Sequence, residues 1–200
     1  MDIIVSRYAK DVSWTKQLTD CNVIIYDKSD DENDYIKLPN IGREPHTFIH
    51  HIINNYNNLP DYSCFIQDNP FDHVGANDFS FIRNFKFDAD FTEIGKSQIR
   101  WDLNGGPTFS WLDIKYLFWN KYFINHPNEI IFAVGGQFIV SKSAILLRKK
   151  VFYEELMLDI NRTDIPVPYG KNVGHNKIPW ILEAVWKYIF NKEFKSKYDN

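Results

Sequence analysis

The sequence contains little cysteine and no long apolar run, and both shortages narrow the class of protein. Cys21 and Cys64 are the only cysteines in 200 residues, and each lies inside an apolar run. Buried thiols of this kind are typical of a reducing compartment rather than of a disulfide-stabilised scaffold. No segment approaches the roughly 18 apolar residues of a membrane span, and residues 1–11 lack the apolar core of a signal peptide. We therefore expect a soluble, cytoplasmic protein without a membrane span.

Positive charge and phosphate-binding signatures are also scarce. The chain has 23 Lys and Arg against 26 Asp and Glu, a net charge of −3. This balance argues against a nucleic-acid partner held by a broad basic surface. The sequence has no G-x-x-x-x-G-K-[ST] loop, no G-x-G-x-x-G loop and no G-x-S-x-G nucleophile elbow. These absences argue against P-loop NTPases, the usual NAD enzymes and α/β-hydrolases.

The first third of the chain alternates short apolar runs with helical patterns. Asp2–Ser6, Cys21–Tyr26 and Tyr62–Gln67 are predicted to be buried strands. Residues 12–18 are predicted to form a short helix, and residues 46–57 a longer one with a single apolar face. The order β-α-β-α-β is typical of an α/β fold with a Rossmann-like central sheet.

The rest of the chain is less regular, and we expect it to complete one domain. The predicted elements are a short helix at 78–85, an irregular segment at 87–106, a helix at 110–123, strands at 129–134 and 137–140, a helix from an N-cap at Ser141 to Arg148, a helix at 152–158, a Pro/Gly-rich lid or acceptor loop at 163–176 and a helix at 179–190. Residues 1–75 form the expected nucleotide-binding half and 76–190 the acceptor-binding half. The charged tail 191–200 is compatible with excision from a longer protein.

The densest polar segment follows the third predicted strand, at residues 68–78. Ligands of open α/β sheets bind beyond the carboxyl ends of the strands, and Mg²⁺ or Mn²⁺ takes one or two carboxylates together with substrate phosphates. The segment therefore predicts a metal site formed by Asp68, Asp72 and His73, with a solvated turn as the alternative. Asp88 and Asp90 form a rival Asp-x-Asp pair.

Three further features are candidates for function, each with a simpler alternative. Glu183 lies in an apolar helix, where burial would suit it to act as a general base, although a place at the solvent edge is equally compatible. Arg7 and Arg43 are candidates for phosphate contacts or for surface salt bridges. His46 and His50 are spaced for zinc, but the glutamate of an HExxH motif is missing, and a partly exposed helix face is favoured.

Several motifs occur in a recognisable order. They are Ser6-Arg7-Tyr8, P-N-I-G-R-E at 39–44, HHIINNYNNLPDY before FIQDNPFDH, GGQFIVS at 135–141, Phe152-Tyr153-Glu154 and Leu182-Glu183. In this order the chain resembles the virus-encoded glycosyltransferases that build capsid glycans in large algal viruses, together with uncharacterised fungal and bacterial relatives. The resemblance covers nearly the whole chain.

The resemblance implies a GT-A fold and a hexosyl- or pentosyltransferase of the host cytoplasm. It implies a nucleotide-sugar donor, foremost a UDP-sugar, a Mn²⁺ or Mg²⁺ cofactor, and a glycan or glycoprotein acceptor such as a viral capsid glycan. The nucleotide donor would be held by Ser6, Arg7, Tyr8, Asp27, Arg43 and Gln67. Gly135, Gly136 and Gln137 would border the acceptor sugar. Glu183 would be the catalytic base of an inverting reaction.

The motif expected to bind the metal departs from the family pattern. Asp68-Asn69-Pro70 has proline at the third position of the Asp-x-Asp motif. Either Asp72 serves catalysis as the second metal ligand, or one carboxylate and the donor phosphates complete the shell. A non-catalytic nucleotide- or glycan-binding module and a nucleotide-sugar hydrolase remain alternatives, because a fold does not dictate a function.

Overall fold

The computed structural model describes residues 1–74, 78–101, 114–162 and 177–199. The predicted loop at 163–176, the start of the predicted helix at 110–123 and Asn77 lie outside the described residues. Within those described ranges the strands are β1 (Asp2–Arg7), β2 (Asn22–Asp27), β3 (Ile36–Lys37), β4 (Tyr62–Gln67), β5 (Phe91–Ile94), β6 (Gln98–Trp101), β7 (Ile130–Ala133) and β8 (Gln137–Ser141).

The helices surround these strands. They are α1 (Arg43–Asn55), α2 (Phe71–Val74), α3 (Ser80–Arg83), α4 (Asn120–Tyr122), α5 (Lys142–Ile145), α6 (Lys150–Ile160) and α7 (Ile178–Ile189). A 3-10 helix spans Ser13–Gln17, and a π-helical turn at Lys115–Trp119 precedes α4. None of the described helices combines the length and the apolar character needed to cross a bilayer.

A six-stranded mixed sheet forms the centre, in the order β3-β2-β1-β4-β8-β5. Strands β1, β2, β3 and β4 run parallel to one another, whereas β8 lies antiparallel between β4 and β5. Strands β6 and β7 form a separate antiparallel pair. The predicted α/β class with a mixed sheet flanked by helices is confirmed.

Both faces of the sheet are covered, which explains why its central strands are continuously apolar. Successive side chains of a strand point to opposite faces. Ile4 and Phe65 accordingly belong to the core beneath α1, α6 and α7, whereas Ile3 and Cys64 belong to the smaller core on the other face. Burial raises the pKa of the Cys64 thiol, so that it stays protonated.

Helix α1 begins three residues before the predicted start, at Arg43. Gly42 takes a left-handed φ of 62° at the N-cap, where glycine has no steric penalty. Pro45 fits the first turn because its missing N–H would have no intrahelical acceptor there. The pattern predicted the helix but interpreted its first turn as a loop.

Two other sequence predictions are wrong. The segment predicted to be irregular at 87–106 contains β5 and β6. Phe91 of β5 pairs with Val140 of β8 and packs against Phe138 at 5.3 Å between ring centroids, and β6 pairs with β7. The helix capped by Ser141 ends at Ile145 rather than Arg148. The cap itself is confirmed, since the Ser141 hydroxyl accepts the Ala144 N–H at 3.1 Å.

Candidate functional site

The candidate site lies where the order of strands reverses. From β1 the chain moves outward to β2 and β3, and it then returns to β4 on the other side of β1. Such a reversal opens a crevice beyond the carboxyl ends of the two central strands. A cleft of about 300 Å³ lies there. It is lined by Ser6, Tyr8, Lys28, Asn40, Arg43, Glu44 and Asp68.

The carboxyl group of Asp68 forms one side of the cleft. The Tyr8 N–H donates to Asp68 Oδ2 at 2.7 Å, and the Trp14 indole N–H donates to the Asp68 carbonyl oxygen at 2.8 Å. These bonds connect the ends of β1 and β4 and fix the acidic loop. Burial raises the pKa of Asp68 despite the hydrogen bonds from backbone N–H groups, and the negative charge of Glu44 acts in the same direction.

The opposite side of the cleft carries two basic side chains, Lys28 and Arg43, next to the acidic Glu44. The first turn of α1 has no side-chain cap, and its free N–H groups favour an anion. Arg43 lies over the Trp180 ring, 4.1 Å from its centroid, and donates to Glu44 at 3.3 Å. Lys28 donates to the Ile41 carbonyl at 2.6 Å and also to the Arg43 carbonyl. Burial lowers the pKa of Lys28 to about 7.

Glu183 and the Gly135-Gly136 pair form a second part of the site. The Gly135 N–H donates to Glu183 Oε1 at 2.8 Å. A Cβ atom on Gly136 would lie 3.2 Å from Glu183 Cγ, and one on Gly135 would lie 2.7 Å from the His73 ring. The glycines therefore allow Glu183 and His73 to approach the backbone closely. Burial raises the pKa of Glu183, while the positive charges of Arg43 and His73 oppose the shift.

Two glutamine side chains connect the acidic loop with this glycine pair. The Gln67 N–H donates to Gln137 Oε1 at 3.0 Å, and the Gln67 side-chain amide donates to the Gly135 carbonyl at 2.9 Å. The Gln137 amide donates to the Pro70 carbonyl at 3.2 Å. Gln67 and Gln137 thus align the ends of β4 and β8, and they hold the two parts of the site together.

Arg7 and Asp27 are paired with each other. The Arg7 guanidinium bonds Asp27 at 2.8 Å and Asp31 at 2.7 Å, and Lys37 reaches the other Asp27 oxygen at 2.7 Å. Burial alone would raise the pKa of Asp27, but hydrogen bonds from Lys37, Asn33 and Ser29 outweigh it and hold the pKa well below its usual range. Their predicted contact with a nucleoside remains a prediction.

The metal site that the sequence predicts at Asp68, Asp72 and His73 stays a prediction. Across residues 1–74, 78–101, 114–162 and 177–199, no three His, Cys, Asp or Glu side chains are grouped to hold a metal ion. Asp72 is exposed on α2, and the His73 ring lies against Gly135. This arrangement does not fit a metal ion coordinated by protein side chains alone. It fits the usual coordination of Mg²⁺, in which one carboxylate, here that of Asp68, acts together with the phosphates of the donor. In the rival pair, Asp90 accepts the Ser141 hydroxyl at 2.7 Å.

Comparison with known proteins gives one match. The profile of a family described as "Protein of unknown function (DUF3431)" matches residues 3–87. The chain is similar to this family from β1 to α3, a range that includes Asp68 but not Glu183. No curated protein and no solved structure matches the chain.

Sequence reasoning misses Lys28 and Glu44. Lys28 follows the second strand but lies within a strongly acidic segment, where it resembles a solvated counterion. Glu44 lies in a motif whose sequence is typical of a turn, whereas the structure places it in the first turn of α1. Their proximity to the cleft depends on where the first turn of α1 is placed, which the sequence pattern put three residues too late.

Proposed function

We propose that the protein is a glycosyltransferase of the GT-A type that moves a sugar, foremost from a UDP-sugar, to a glycan such as a viral capsid glycan. The observation that carries the proposal is the position of the Glu183 carboxyl group, which accepts the Gly135 N–H at 2.8 Å near the switch point of the sheet, where burial raises its pKa. Four parallel strands in the order 3-2-1-4, continued by an antiparallel strand, agree with the Rossmann-like mixed sheet of that fold class.

The cleft has the chemistry for a nucleoside diphosphate. Guanidinium and ammonium groups and free helix N–H groups bind phosphate oxygens, and Arg43, Lys28 and the first turn of α1 supply them on one wall. The volume of about 300 Å³ is at the lower end of small-ligand sites. Ser6 and Tyr8 lie on the β1 side, where we place the nucleoside.

The two carboxyl groups with raised pKa values serve different parts of the reaction. The charge of Glu44 raises the pKa of both Asp68 and Glu183, so both groups lie within its electrostatic reach. In the proposed step Glu183 takes the proton of the acceptor hydroxyl, whose oxygen attacks the anomeric carbon. The bond from that carbon to the diphosphate breaks, and the diphosphate leaves with the electron pair. Gly135, Gly136 and Gln137 border the acceptor.

The proposal includes dependence on Mn²⁺ or Mg²⁺, with Asp68 as the carboxylate on the protein side. A bound divalent ion would supply charge neutralisation for the leaving diphosphate. Arg43 and Lys28 would share this task, since both line the same cleft as Asp68.

The test combines binding with turnover. Isothermal titration with a panel of nucleotide sugars, with and without Mn²⁺, identifies the donor, and product analysis with and without a glycan acceptor identifies the reaction. Glu183→Gln should keep donor binding and lower transfer by about 10²–10⁴-fold, whereas Glu154→Gln on α6 should change neither.

Three outcomes would reject or redirect the proposal. Unchanged transfer by the Glu183→Gln variant would remove Glu183 as the base. Donor binding without turnover for any acceptor would indicate the binding module. Sugar released equally without an acceptor would indicate the hydrolase.

A further inference from the structure

A second surface lies at the other end of the sheet and combines apolar and basic side chains. We call it the Leu-Lys turn and define it as the exposed residues of the connection from α5 to α6 and of the first turn of α6, namely Leu146, Leu147, Lys149, Lys150 and Val151. The three apolar side chains have 42%, 37% and 42% of their surface in contact with solvent. Exposed apolar neighbours on a monomer are typical of an interaction site.

The turn is held in place by the residue at its centre. Arg148 is buried and donates to the carbonyl oxygens of Ile189 and Asn191 at 2.8 Å each and of Phe194 at 2.6 Å. Its carbonyl oxygen accepts the Tyr56 hydroxyl at 2.6 Å. Because these hydrogen bonds hold Arg148 against the C-terminal segment, the neighbouring leucine side chains are directed outward.

The segment that contains the turn is basic in sequence, although its Arg148 is paired with Asp199 at 2.9 Å. Residues 142–151 include three lysines and one arginine but no Asp or Glu, in a chain whose net charge is −3. The first turn of α6 has no side-chain cap, so its N–H groups add positive potential. Glu154 lies 4.0 Å from Lys150, but such an exposed pair contributes little.

Further lysines lie beside the turn. A depression of about 410 Å³ next to Leu147 is also lined by Lys187 and Lys192. Asp90 borders the same depression, where it accepts hydrogen bonds from Ser141 and Ser143. The positive surface therefore continues from the turn to the end of α7.

We infer that the Leu-Lys turn docks the protein peripherally on a membrane surface rich in anionic lipid. Lysines near such a surface are attracted by its negative potential, and exposed leucine and valine side chains gain by entering the boundary between headgroups and acyl chains. Basic and apolar side chains together on one short, rigid segment fit a lipid surface better than the surface of an acidic protein. The surface of an acidic protein would give the leucines no apolar environment.

The register of the sheet fixes the orientation of this docking surface. Ser141, just before α5, pairs with Tyr62 at the amino end of β4, whereas Asp68 follows the carboxyl end of the same strand. The turn and the cleft therefore lie at opposite ends of the sheet, roughly 20 Å apart for a strand of this length. A docked molecule would hold its cleft open to the aqueous phase.

The test is flotation of the full chain with vesicles of phosphatidylcholine alone or mixed with phosphatidylserine. We expect binding only to the mixed vesicles and a decrease at raised salt. Lys149→Gln with Lys150→Gln should weaken binding about fivefold per lysine, or about 25-fold together. Leu146→Ser with Leu147→Ser should weaken it about tenfold.

Matched variants control for total charge and apolarity. Lys16→Gln with Lys86→Gln removes two exposed lysines elsewhere, and Leu158→Ser removes the leucine that is 61% exposed on α6. Both should bind as the wild type does, with circular dichroism showing that every variant is folded. The inference fails if the folded wild type does not prefer anionic vesicles or if the controls lose as much binding. Binding to polyglutamate but not to vesicles would assign the turn to an acidic protein instead.

Discussion

The substitution Gly135→Ala tests the close approach of the His73 side chain to the backbone. Gly135 has a φ of 102°, and a Cβ atom there would lie 2.7 Å from two atoms of the His73 ring and 3.0 Å from its Cβ. A backbone conformation of this kind costs an L-residue about 1–3 kcal/mol, and overpacking adds about 1–3 kcal/mol. We expect the free energy of unfolding to fall by about 2–6 kcal/mol.

The two contributions can be separated by removing the side chain that would collide. In a His73→Ala background the collision with the ring is removed and only the Cβ contact at 3.0 Å stays, so Gly135→Ala should cost mainly the backbone contribution. The double-mutant cycle should therefore give a coupling of about 1–3 kcal/mol between the two positions. Unfolding in urea, followed by the fluorescence of the six tryptophans, measures each difference.

The same cycle can refute the reasoning. Equal costs in the two backgrounds, within about 0.5 kcal/mol, would show that the His73 ring does not lie against Gly135. No cost in either background would show that the backbone at Gly135 is not restricted to glycine. Ala133→Gly, two residues away in β7, controls for a general effect of changing glycine content in this segment.

Two further predictions concern the charged groups near the cleft. Asp27→Asn leaves Arg7 and Lys37 without their buried carboxylate, and we expect a loss of about 3–5 kcal/mol in urea unfolding. Because the pKa of Asp27 is lowered in the folded state, its contribution is present above about pH 4 and is lost as the pH falls towards the folded value; the variant should lose less stability than the wild type in that acid range. Burial lowers the pKa of Lys28 to about 7, so an anion in the cleft should favour its charged form and binding above pH 7 should take up a proton. Calorimetry in two buffers of different ionisation enthalpy measures this uptake, and an unchanged uptake in Lys28→Met would contradict it.

Local patterns predict the part of the fold that is continuous in sequence. β1, β2 and β4 are apolar runs bounded by polar residues, and α1 and α7 show apolar faces at helical spacing. These elements agree with the prediction to within a few residues because residues that are neighbours in the sequence determine their burial pattern. Because the predicted third strand ends at Gln67, the sequence also predicted that Asp68 lies at the edge of the sheet.

Elements that depend on distant pairing were missed. Phe91–Ile94 lies between Asp90 and Gly95 and resembles a polar loop, but it becomes a strand through pairing with β8. Strand β3 has only two residues, and these pair with the end of β2. Such strands acquire their conformation from partners that a local pattern does not identify.

The residues of the candidate site also divide into those that a local pattern identifies and those whose position depends on distant parts of the chain. Asp68 and Glu183 were each identified from their own surroundings. The pairing of Arg7 with Asp27 depends on the parallel register that places these two residues opposite each other in β1 and β2. Glu44 reaches the cleft because α1 begins at Arg43, whereas Lys28 reaches it because it follows β2 and donates to the Ile41 and Arg43 carbonyl oxygens. Register and helix start are properties of the assembled sheet, so neither could be read from the residues themselves.

The position of β8 has a consequence for the order of folding. This strand joins the sheet beside β4, from which it is separated by about seventy residues of chain, and it carries Gln137, which aligns the Asp68 loop with Gly135. Closing so long a loop is slow compared with forming βαβ units. The parallel strands would therefore form first with the edge of β4 exposed. Gln137 would hold the Asp68 loop, and Glu183 would meet Gly135, only when β8 inserts as a late step.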